Sequence, residues 1–502
     1  MDDFFVQFLL LISSCLILLL LYVYKSNASS ITTNGGPLIG NLLDFIKNRN
    51  RFIDWTTEIL SASPTNTMLL HRPGIPPLVL TADPSNVKHI LMTNFDCYPK
   101  GKRFTSHFGD LFGQVMFVLD GERWKDQRRI AAHEFGSNTL RDFGLDIVAQ
   151  ETHTRLIPIL ESASKTNHVV DLQEIFNSIM FNVFYKLAFD ERPGSLSNDR
   201  NGSTTLLTAF KQSSFISHER LHHLLPFMWK VKKFLTIGSE QRLRDSINIV
   251  HKHLERVIQV KFIETRGMSK VDVMSRFNNH GYTSIESLRD IGIGLMLAGM
   301  DTTVSSLTWF FWLLSSNPRV EKQIVEEVKA VRAKHNRSFG EMPTYEEIRE
   351  MHYLHAAMTE SMRLYPPAPF NVKACISDDV LPDGTQVKKG WTVLFSPYAM
   401  GRMEKIWGKD CLEYKPERWL EDGLFRQESP FRYPIFHAGP RMCLGKDMAY
   451  IQMKSIAALM IERFVIEARD NRMCPEKALS LTLIMKGGLP VKVRERYPEF
   501  KD

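Results

Sequence analysis

Ten residues near the C-terminus, FHAGPRMCLG at 436–445, constrain the fold more than any other segment. A single cysteine, Cys443, lies in a loop with Gly439, Pro440 and Gly445, and a helical run follows at once. Glycines let a backbone approach a flat ligand closely, and amides at a helix start can hydrogen-bond a sulfur and hold it as a thiolate. A lone intracellular cysteine is more often a small buried hydrophobe. The surrounding loop is what makes Cys443 a candidate ligand.

The composition indicates a globular intracellular protein. Of the 502 residues, 44% are hydrophobic and 24% are charged, a balance typical of folded chains. The six cysteines are scattered without a CxxC pair, which argues against a disulfide framework and fits a reducing compartment. The net charge of +7 permits a basic face but is too small to indicate a nucleic-acid partner.

The N-terminal segment predicts a membrane anchor. Residues 4–24 carry no charge, and a helix of that length can cross a hydrocarbon core of roughly 30 Å. A cleaved signal peptide is the alternative, but the apolar run is longer than a usual signal, and Asp2 and Asp3 precede it in place of lysines. Lys25 weakly indicates that the rest of the chain is cytosolic. We predict a retained single-span anchor in the endoplasmic reticulum membrane.

Three segments follow from this interpretation. Residues 1–25 form the anchor, residues 26–40 form a polar linker, and residues 41–502 form one large domain. A single domain is expected because no repeat, low-complexity tract or second linker follows.

The domain is predicted to be mostly α-helical with small β-sheets. Amphipathic periodicity indicates helices at 324–334 and 346–364. Between 380 and 395 a Pro-Asp-Gly turn separates β-rich flanks, which predicts a hairpin.

The cysteine loop also carries a resemblance. Its pattern, FxxGxRxCxG, resembles the cysteine-ligand loop of the cytochrome P-450 superfamily. All five fixed positions match: Phe436, Gly439, Arg441, Cys443 and Gly445. The resemblance covers the chain from the end of the linker to the C-terminus. It implies the mostly α cytochrome P-450 fold, a haem b cofactor with Cys443 as axial iron ligand, and Arg441 as a partner of a haem carboxylate.

Further marks of the superfamily follow in the expected order. Glu360 and Arg363 lie one helical turn apart and share a face. An isolated ExxR pattern carries no information, but the superfamily pairs it with an arginine of the downstream PERW segment, here Arg418, in a buried charge network. The implied role of these three residues is structural support of the cysteine loop.

Three other residues are implied as haem contacts. Trp124 and Arg128 match the WxxxR pattern whose members contact a haem propionate. Lys373 stands where relatives place another basic propionate partner, which is a weaker match.

Polar residues interrupt the apolar stretch at 291–314. On its own, AGMDTT at 298–303 would indicate a buried helix with incidental polar residues. Beside the cysteine loop, it resembles the oxygen-binding kink of the superfamily's central helix. Activation of O2 requires proton delivery inside a pocket that excludes water, so Thr302 is implied to hold a water and Asp301 to relay protons. The preceding Ala-Gly pair would leave room for oxygen.

Other segments resemble one plant clan more closely. ESMRLYPP, DDVLPDGTQVKKGW and AGPRMCLGKDMAYIQMK look like cytochromes P-450 that hydroxylate fatty-acid chains at or near the terminal methyl. Close members also oxidise jasmonoyl–amino-acid conjugates and, in some lineages, the side-chain end of sterols at a 26-type position. The resemblance implies a lipophilic substrate and leaves these three classes open.

The substrate-facing segments depart from the clan. Phe370 and Asn371 replace its usual small-acidic pair, so a bulkier body such as a sterol stays possible, with a fatty acid slightly ahead. The expected walls of the substrate channel include residues 104–117, 368–372 and 485–489.

Electrons are expected from another protein. Gly292-Ile-Gly294 hints at a dinucleotide turn, but it lacks a preceding strand and is better explained as helix interior. The resemblance implies an NADPH-dependent flavoprotein reductase. Candidates for its docking surface are the basic residues around the haem contacts: Arg123, Lys125, Arg128, Arg129 and Lys446. A merely solvated face is an equally good interpretation of any one of them.

Two other function classes stay open. Residues 218–222 spell HExxH, the zinc-peptidase signature, and Glu240 could supply a third ligand. Arg220 puts a charge inside that motif, and the flanking segment 224–235 is typical of an amphipathic, membrane-dipping stretch, so we expect the match to be accidental. The second class is a haem protein that rearranges peroxides without O2 or reductase, against which Thr302 argues.

Overall fold

The computed structural model describes residues 40–193, 202–222, 228–264, 272–470 and 474–497. The predicted anchor and nearly all of the predicted linker lie outside this part of the chain. Within these ranges one helix, Ile285–Ser315, has the length and hydropathy to cross a membrane. Because 72% of its apolar window is buried inside the protein, we assign it to the core.

Helices make up most of the described chain. In chain order they are α1 (Leu42–Lys47), α2 (Phe52–Ala62), α3 (Pro84–Lys88), α4 (Gly101–Phe112), α5 (Gly121–Phe135), α6 (Asn138–Glu151), α7 (Ile157–Thr166), α8 (Leu172–Phe189), α9 (Gly202–Glu219), α10 (Met228–Leu235), α11 (Ser239–Glu264), α12 (Val273–Asn279), α13 (Ile285–Ser315), α14 (Pro318–Lys334), α15 (Tyr345–Glu350), α16 (His352–Leu364), α17 (Pro397–Met400), α18 (Glu404–Trp407) and α19 (Lys446–Arg463).

The strands are short. They are β1 (Thr67–Leu70), β2 (Leu78–Thr81), β3 (Val170–Asp171), β4 (Asn371–Ala374), β5 (Asp379–Val380), β6 (Gln386–Val387), β7 (Thr392–Phe395), β8 (Leu420–Glu421), β9 (Leu424–Phe425), β10 (Phe464–Ala468), β11 (Lys477–Leu479), β12 (Leu483–Met485) and β13 (Pro490–Glu495). They form a four-stranded sheet β1-β2-β7-β4, a three-stranded sheet β10-β13-β3 and three two-stranded pairs. The prediction of a mostly α protein with small sheets is confirmed.

Helix α13 runs through the core and packs along α8. It begins at a capped end, where the Ser284 hydroxyl accepts a hydrogen bond from the Ser287 amide at 3.1 Å. Gly292 permits the close approach of α8, because a Cβ there would lie 2.8 Å from the Phe189 ring. The interpretation of Gly292-Ile-Gly294 as helix interior is therefore confirmed.

The predicted helix at 346–364 is two helices in the structure. Helix α15 ends at Glu350 and α16 begins at His352, with Met351 between them. The break has a tertiary cause: the Glu327 carboxylate on α14 accepts hydrogen bonds from the amides of Tyr353 and Leu354, at 2.6 and 2.9 Å. These amides have no partner within their own helix, so a distant side chain caps α16. The helix predicted at 324–334 is confirmed as the C-terminal part of α14.

The predicted hairpin is shorter than expected. Strands β5 and β6 pair around Pro382-Asp383-Gly384, as the turn predicted. Residues 392–395 form β7, which instead lies between β2 and β4 and runs parallel to β2. Val393, Leu394 and Phe395 are buried there, so burial in the larger sheet decides their pairing.

Candidate active site

The cysteine loop leads directly into helix α19. Cys443 lies between a 3-10 turn at Gly439–Arg441 and the start of α19, and its amide donates to the Phe436 carbonyl at 2.8 Å. Burial raises the pKa of the Cys443 thiol, while a hydrogen bond from the Gly445 backbone and the charge of Arg128 act in the opposite direction. The side chain is nevertheless accessible. A sulfur that is both desolvated and accessible is positioned to meet an internal ligand.

Three basic side chains beside this loop each have a buried nitrogen atom without a hydrogen-bond partner among the described residues. Lys373 on β4 is fully buried, and no group of the described chain accepts a hydrogen bond from its ammonium nitrogen. His437 Nε2 and Arg441 Nε are also buried and unsatisfied within the same residues. Burial lowers the pKa of Lys373 well below its ordinary value, and the charges of Lys100 and Arg441 lower it further. Buried donors without acceptors are costly, so this cluster fits a bound anion.

Arg441 is held in position by other contacts. Its guanidinium donates to Asp120 Oδ1 at 2.7 Å and lies 4.3 Å from the centre of the Trp124 ring on α5. Asp120 also accepts a hydrogen bond from the Gly101 amide at 2.9 Å. The carboxylate thereby joins the first turn of α4 to the cysteine loop.

Two members of the basic cluster were missed by the sequence analysis. Burial, followed by the charge of Arg441, lowers the pKa of Lys100 to about 8, although Asp120 opposes this change. Burial and then the charge of Lys373 lower the pKa of His437 well below its ordinary value. His437 occupies a variable position of the loop pattern, and no local pattern marks Lys100. Only the fold brings Lys100 to the site, and only the fold shows that His437 is buried there.

Arg128 contacts the loop backbone. Its guanidinium donates to the Met442 carbonyl, next to the cysteine. Trp124 and Arg128 are one turn apart on α5, so both face the same loop.

Glu360, Arg363 and Arg418 form a buried network. The Glu360 carboxylate accepts hydrogen bonds from Arg363 Nε at 2.7 Å and Arg418 Nε at 3.3 Å. The Trp419 indole also donates to it, at 2.8 Å. Neither Glu360 nor Arg363 has any exposed side-chain surface. Loss of one partner would leave a buried charge uncompensated, so the network requires all its members.

Aromatic contacts connect this network to the cysteine loop. The Trp419 and Tyr433 rings lie 4.8 Å apart, and the Tyr433 hydroxyl donates to the Thr359 carbonyl at 3.0 Å. The Thr359 and Tyr450 hydroxyls are 2.9 Å apart, and the Tyr450 ring is 5.3 Å from that of Phe436. The network on α16 therefore supports the loop through packed side chains.

Asp301 and Thr302 lie on α13, which continues through residues 298–303 as an α-helix. The Thr302 hydroxyl donates to the Ala298 carbonyl at 2.7 Å. Burial raises the pKa of Asp301 to about 7, and the charge of Lys211 opposes this rise only in part. A carboxyl group with this pKa can give or take a proton near neutral pH.

Gly299 has a different role from the one expected. Its missing side chain was expected to leave room for oxygen. In the structure a Cβ at Gly299 would lie 2.0 Å from the Phe184 ring on α8. The glycine is required by the packing of α8 against α13, and that expectation was wrong for this residue.

Comparison with known proteins places this sequence in a family. The cytochrome P-450 family profile matches residues 32–492. The chain belongs to the cytochrome P-450 family.

The chain is 44% identical to cytochrome P-450 CYP94D108 of Paris polyphylla over 466 residues, and this aligned segment covers 92% of each chain. It is 42% identical over 475 residues to cytochrome P-450 94A2 of Vicia sativa, covering 92% of this chain and 91% of that protein. It is 42% identical over 481 residues to cytochrome P-450 94B1 of Arabidopsis thaliana, covering 93% and 92%. The resemblance found in the motifs is thus confirmed, and this cytochrome P-450 is a haem-dependent monooxygenase.

The residues at the site fit haem, which the family binds through a cysteine thiolate. Haem offers iron to a sulfur ligand and two carboxylates to cations. The accessible sulfur of Cys443 suits the iron. The unsatisfied donors Lys373 Nζ and Arg441 Nε suit the carboxylates, because neither nitrogen has an acceptor among the described residues.

The HExxH segment does not form a zinc site in this geometry. Arg220, inside the motif, is 2% exposed and donates to Glu240 at 2.6 and 2.9 Å and to Asp110 at 2.8 Å. Glu240 is thus engaged by a guanidinium and is unsuited to be the third ligand. Helix α9 ends at Glu219, within the motif, and the side chain of His222 lies outside those described.

The expected channel wall at 485–489 stays a prediction. Strand β12, which ends at Met485, contacts α13, and the Leu483 carbonyl accepts a hydrogen bond from the Ser305 hydroxyl at 2.6 Å. The Met485 amide donates to Gln173 on α8 at 3.0 Å.

Proposed function

We propose that this cytochrome P-450 hydroxylates a lipophilic substrate at or near a terminal carbon. A fatty acid is the first candidate, and a sterol side chain or a jasmonoyl–amino-acid conjugate is the alternative. The observation that carries the proposal is the extended similarity around the cysteine loop to the chain-end hydroxylating clan of plants.

In this proposal Cys443 would hold the haem iron through its thiolate, Arg441 and Lys373 would bind the haem carboxylates, and His437 would lie beside them. Trp124 and Arg128 position the loop from α5. Haem, when bound, supplies the activation of O2. Thr302 holds a water beside the reacting oxygen, and Asp301 exchanges protons with it, because its pKa of about 7 allows both forms near neutral pH.

Selectivity for a chain end requires positioning. A primary C–H bond is stronger than those of internal methylenes, so an unconstrained oxidant would attack mid-chain. The channel must present only the chain end to the iron. A row of four aromatic rings supports such a channel. The ring centroids are 4.8 Å apart for Phe104 and Phe108, 6.2 Å for Phe108 and Phe112, and 6.3 Å for Phe112 and Phe117. The Phe117 ring would lie 3.2 Å from a Cβ at Gly294, so the row ends against α13.

The proposed partners are an NADPH-dependent flavoprotein reductase and the endoplasmic reticulum membrane. Lys125 and Arg129 on α5 are exposed, as docking requires, although Glu122 and Asp126 pair with them at 2.7 and 3.6 Å.

Toward the membrane, α10 exposes Phe234 (88% accessible) among basic residues. Such a surface favours insertion at a lipid interface.

Reconstitution with a reductase in microsomes tests the proposed function. The substrates are lauric acid, oleic acid, a 22-hydroxylated cholesterol and jasmonoyl-isoleucine, and mass spectrometry locates the new hydroxyl. A terminal or near-terminal alcohol from any of them, dependent on NADPH, supports the proposal. A spread of mid-chain or ring-hydroxylated products contradicts the proposed channel.

A further inference from the structure

Three side chains with metal-binding atoms meet where α5 ends and α12 ends. His133 and Glu134 belong to the last turn of α5, and His280 is the residue after α12. The Glu134 carboxylate is buried, with 7% of the side chain exposed. The imidazoles are open to solvent, with 76% of His133 and 39% of His280 exposed. None of these residues has a role in the function proposed above.

The donor atoms are close enough for one ion. His133 Nδ1 lies 3.1 Å and His280 Nε2 lies 3.0 Å from the same oxygen, Glu134 Oε1. All three atoms lie within 4.8 Å of one another. Zinc bonds to nitrogen and oxygen measure about 2.0–2.2 Å, which places the ligand atoms of a tetrahedral site about 3.3 Å apart. Small movements of the two exposed imidazoles produce that arrangement, once the ring proton that faces Glu134 Oε1 has moved to the other nitrogen of each ring.

A neighbouring arginine prepares the carboxylate. Arg276 donates to the other oxygen, Glu134 Oε2, at 2.5 Å, so Oε1 stays directed at the imidazoles. This ion pair favours the ionised carboxylate that a metal ion requires. The positive charge of Arg276 repels a cation, so we expect an affinity well below that of a structural zinc site.

We propose that His133, Glu134 and His280 form a binding site for a divalent transition-metal ion of the zinc class. Two imidazoles and one carboxylate suit zinc, nickel or copper and disfavour magnesium and calcium. Water completes the coordination on the exposed side. The ion ties α5, which carries Trp124 and Arg128, to the segment that leads into α13.

Metal uptake by the tag-free holoprotein tests the site. The wild type, His133→Ala, His280→Ala and the double variant are equilibrated by dialysis with zinc at pH 7.5 and analysed for zinc and iron by atomic emission. The haem iron counts folded chains in each sample. His168→Ala is the control, because His168 is an exposed histidine after α7.

We expect the wild type and His168→Ala to bind one zinc per iron. Each single variant should bind at least about 10-fold more weakly, and the double variant should bind none at this site. Zinc should raise Tm at pH 7.5 only where both histidines are present, and not at pH 5, because protons compete for the imidazoles. Equal uptake by the wild type and the double variant, no uptake by the wild type, or displacement of zinc by equimolar magnesium overturns the site.

Discussion

At the site, burial moves pKa values toward the neutral form, as three groups show. It raises the pKa of the Cys443 thiol and the Asp301 carboxyl, and it lowers the pKa of the Lys373 ammonium. A bound iron stabilises a thiolate, and bound carboxylates stabilise an ammonium. With the haem contacts proposed above, two of these three unfavourable burials would be relieved, so the proposed site favours the holoprotein over the apoprotein.

The first residue-scale prediction concerns Cys443→Ala. We expect loss of activity and of the red-shifted Soret band that thiolate ligation gives to the reduced CO complex. Cys474→Ala is the control, because Cys474 is also exposed but lies outside the loop. The difference spectrum between the reduced protein with CO and without CO measures this band in each variant. A wild-type band in Cys443→Ala would remove this residue as the ligand.

Thr302→Ala should uncouple the enzyme. The variant should still bind haem and O2, but it should release several-fold more hydrogen peroxide per product, because the hydroxyl that positions the proton donor is gone. Thr308→Ala is a matched control, since its hydroxyl makes the same contact to the carbonyl four residues earlier, at 2.7 Å. Product and peroxide are measured per NADPH oxidised. An unchanged yield in Thr302→Ala contradicts the proton-delivery role.

Asp301 makes stability depend on pH. Its pKa is about 7 in the folded protein against an ordinary value of 3.8, so the unfolded chain loses this proton first as the pH rises. The contribution of Asp301 to folding therefore becomes more unfavourable between pH 4 and pH 7, by at most about 4 kcal/mol, and is constant above.

Asp301→Asn should remove this penalty. Denaturant unfolding at pH 5 and pH 8 should show a stabilisation relative to wild type that is larger at pH 8. Asp245→Asn, an exposed position on α11, provides the control for the change in net charge. Equal effects of Asp301→Asn at both pH values would show that the carboxyl is not desolvated.

At the scale of elements, the contact of α13 with α8 depends on glycine. Gly299→Ala should destabilise the protein by about 1–3 kcal/mol, because its Cβ would overlap the Phe184 ring. Gly109→Ala on α4 is the control: its Cβ would meet only Thr105, at 3.7 Å, and the lost backbone freedom stabilises by about 0.4–1 kcal/mol. Denaturant midpoints measure both. Equal stability of the two variants would show that α8 can shift away at no cost.

At the scale of the whole molecule, membrane attachment is predicted to have two parts. Deletion of residues 1–25 should release much of the protein from membranes, and the apolar surface of α10 should retain a peripheral fraction. Phe234→Ser in the deleted protein should reduce that fraction, because Phe234 is 88% exposed. Flotation of microsomes in low and high salt measures the partition.

Two outcomes would contradict parts of this prediction. Complete solubility of the deleted protein in low salt excludes the α10 contact. Integral-membrane behaviour after deletion excludes the single anchor.

The sequence alone determined the family and the local chemistry. The cysteine loop is contiguous, and a ligand loop needs its glycines, arginine and cysteine at fixed short spacings, so one segment carries the information. The ExxR pair and the start of the central helix can also be recognised from short segments. Helical geometry fixes which neighbouring residues share a face.

Only the tertiary structure decided which distant residues complete these features. The Glu327 carboxylate caps α16 and so separates it from α15. The Phe184 ring leaves no room for a Cβ at Gly299, and Lys100 lies in the basic cluster beside Arg441. Each contact joins residues far apart in the chain. Such pairs are chosen by packing and by the cost of buried unpaired charge, which are properties of the folded molecule and leave no local pattern.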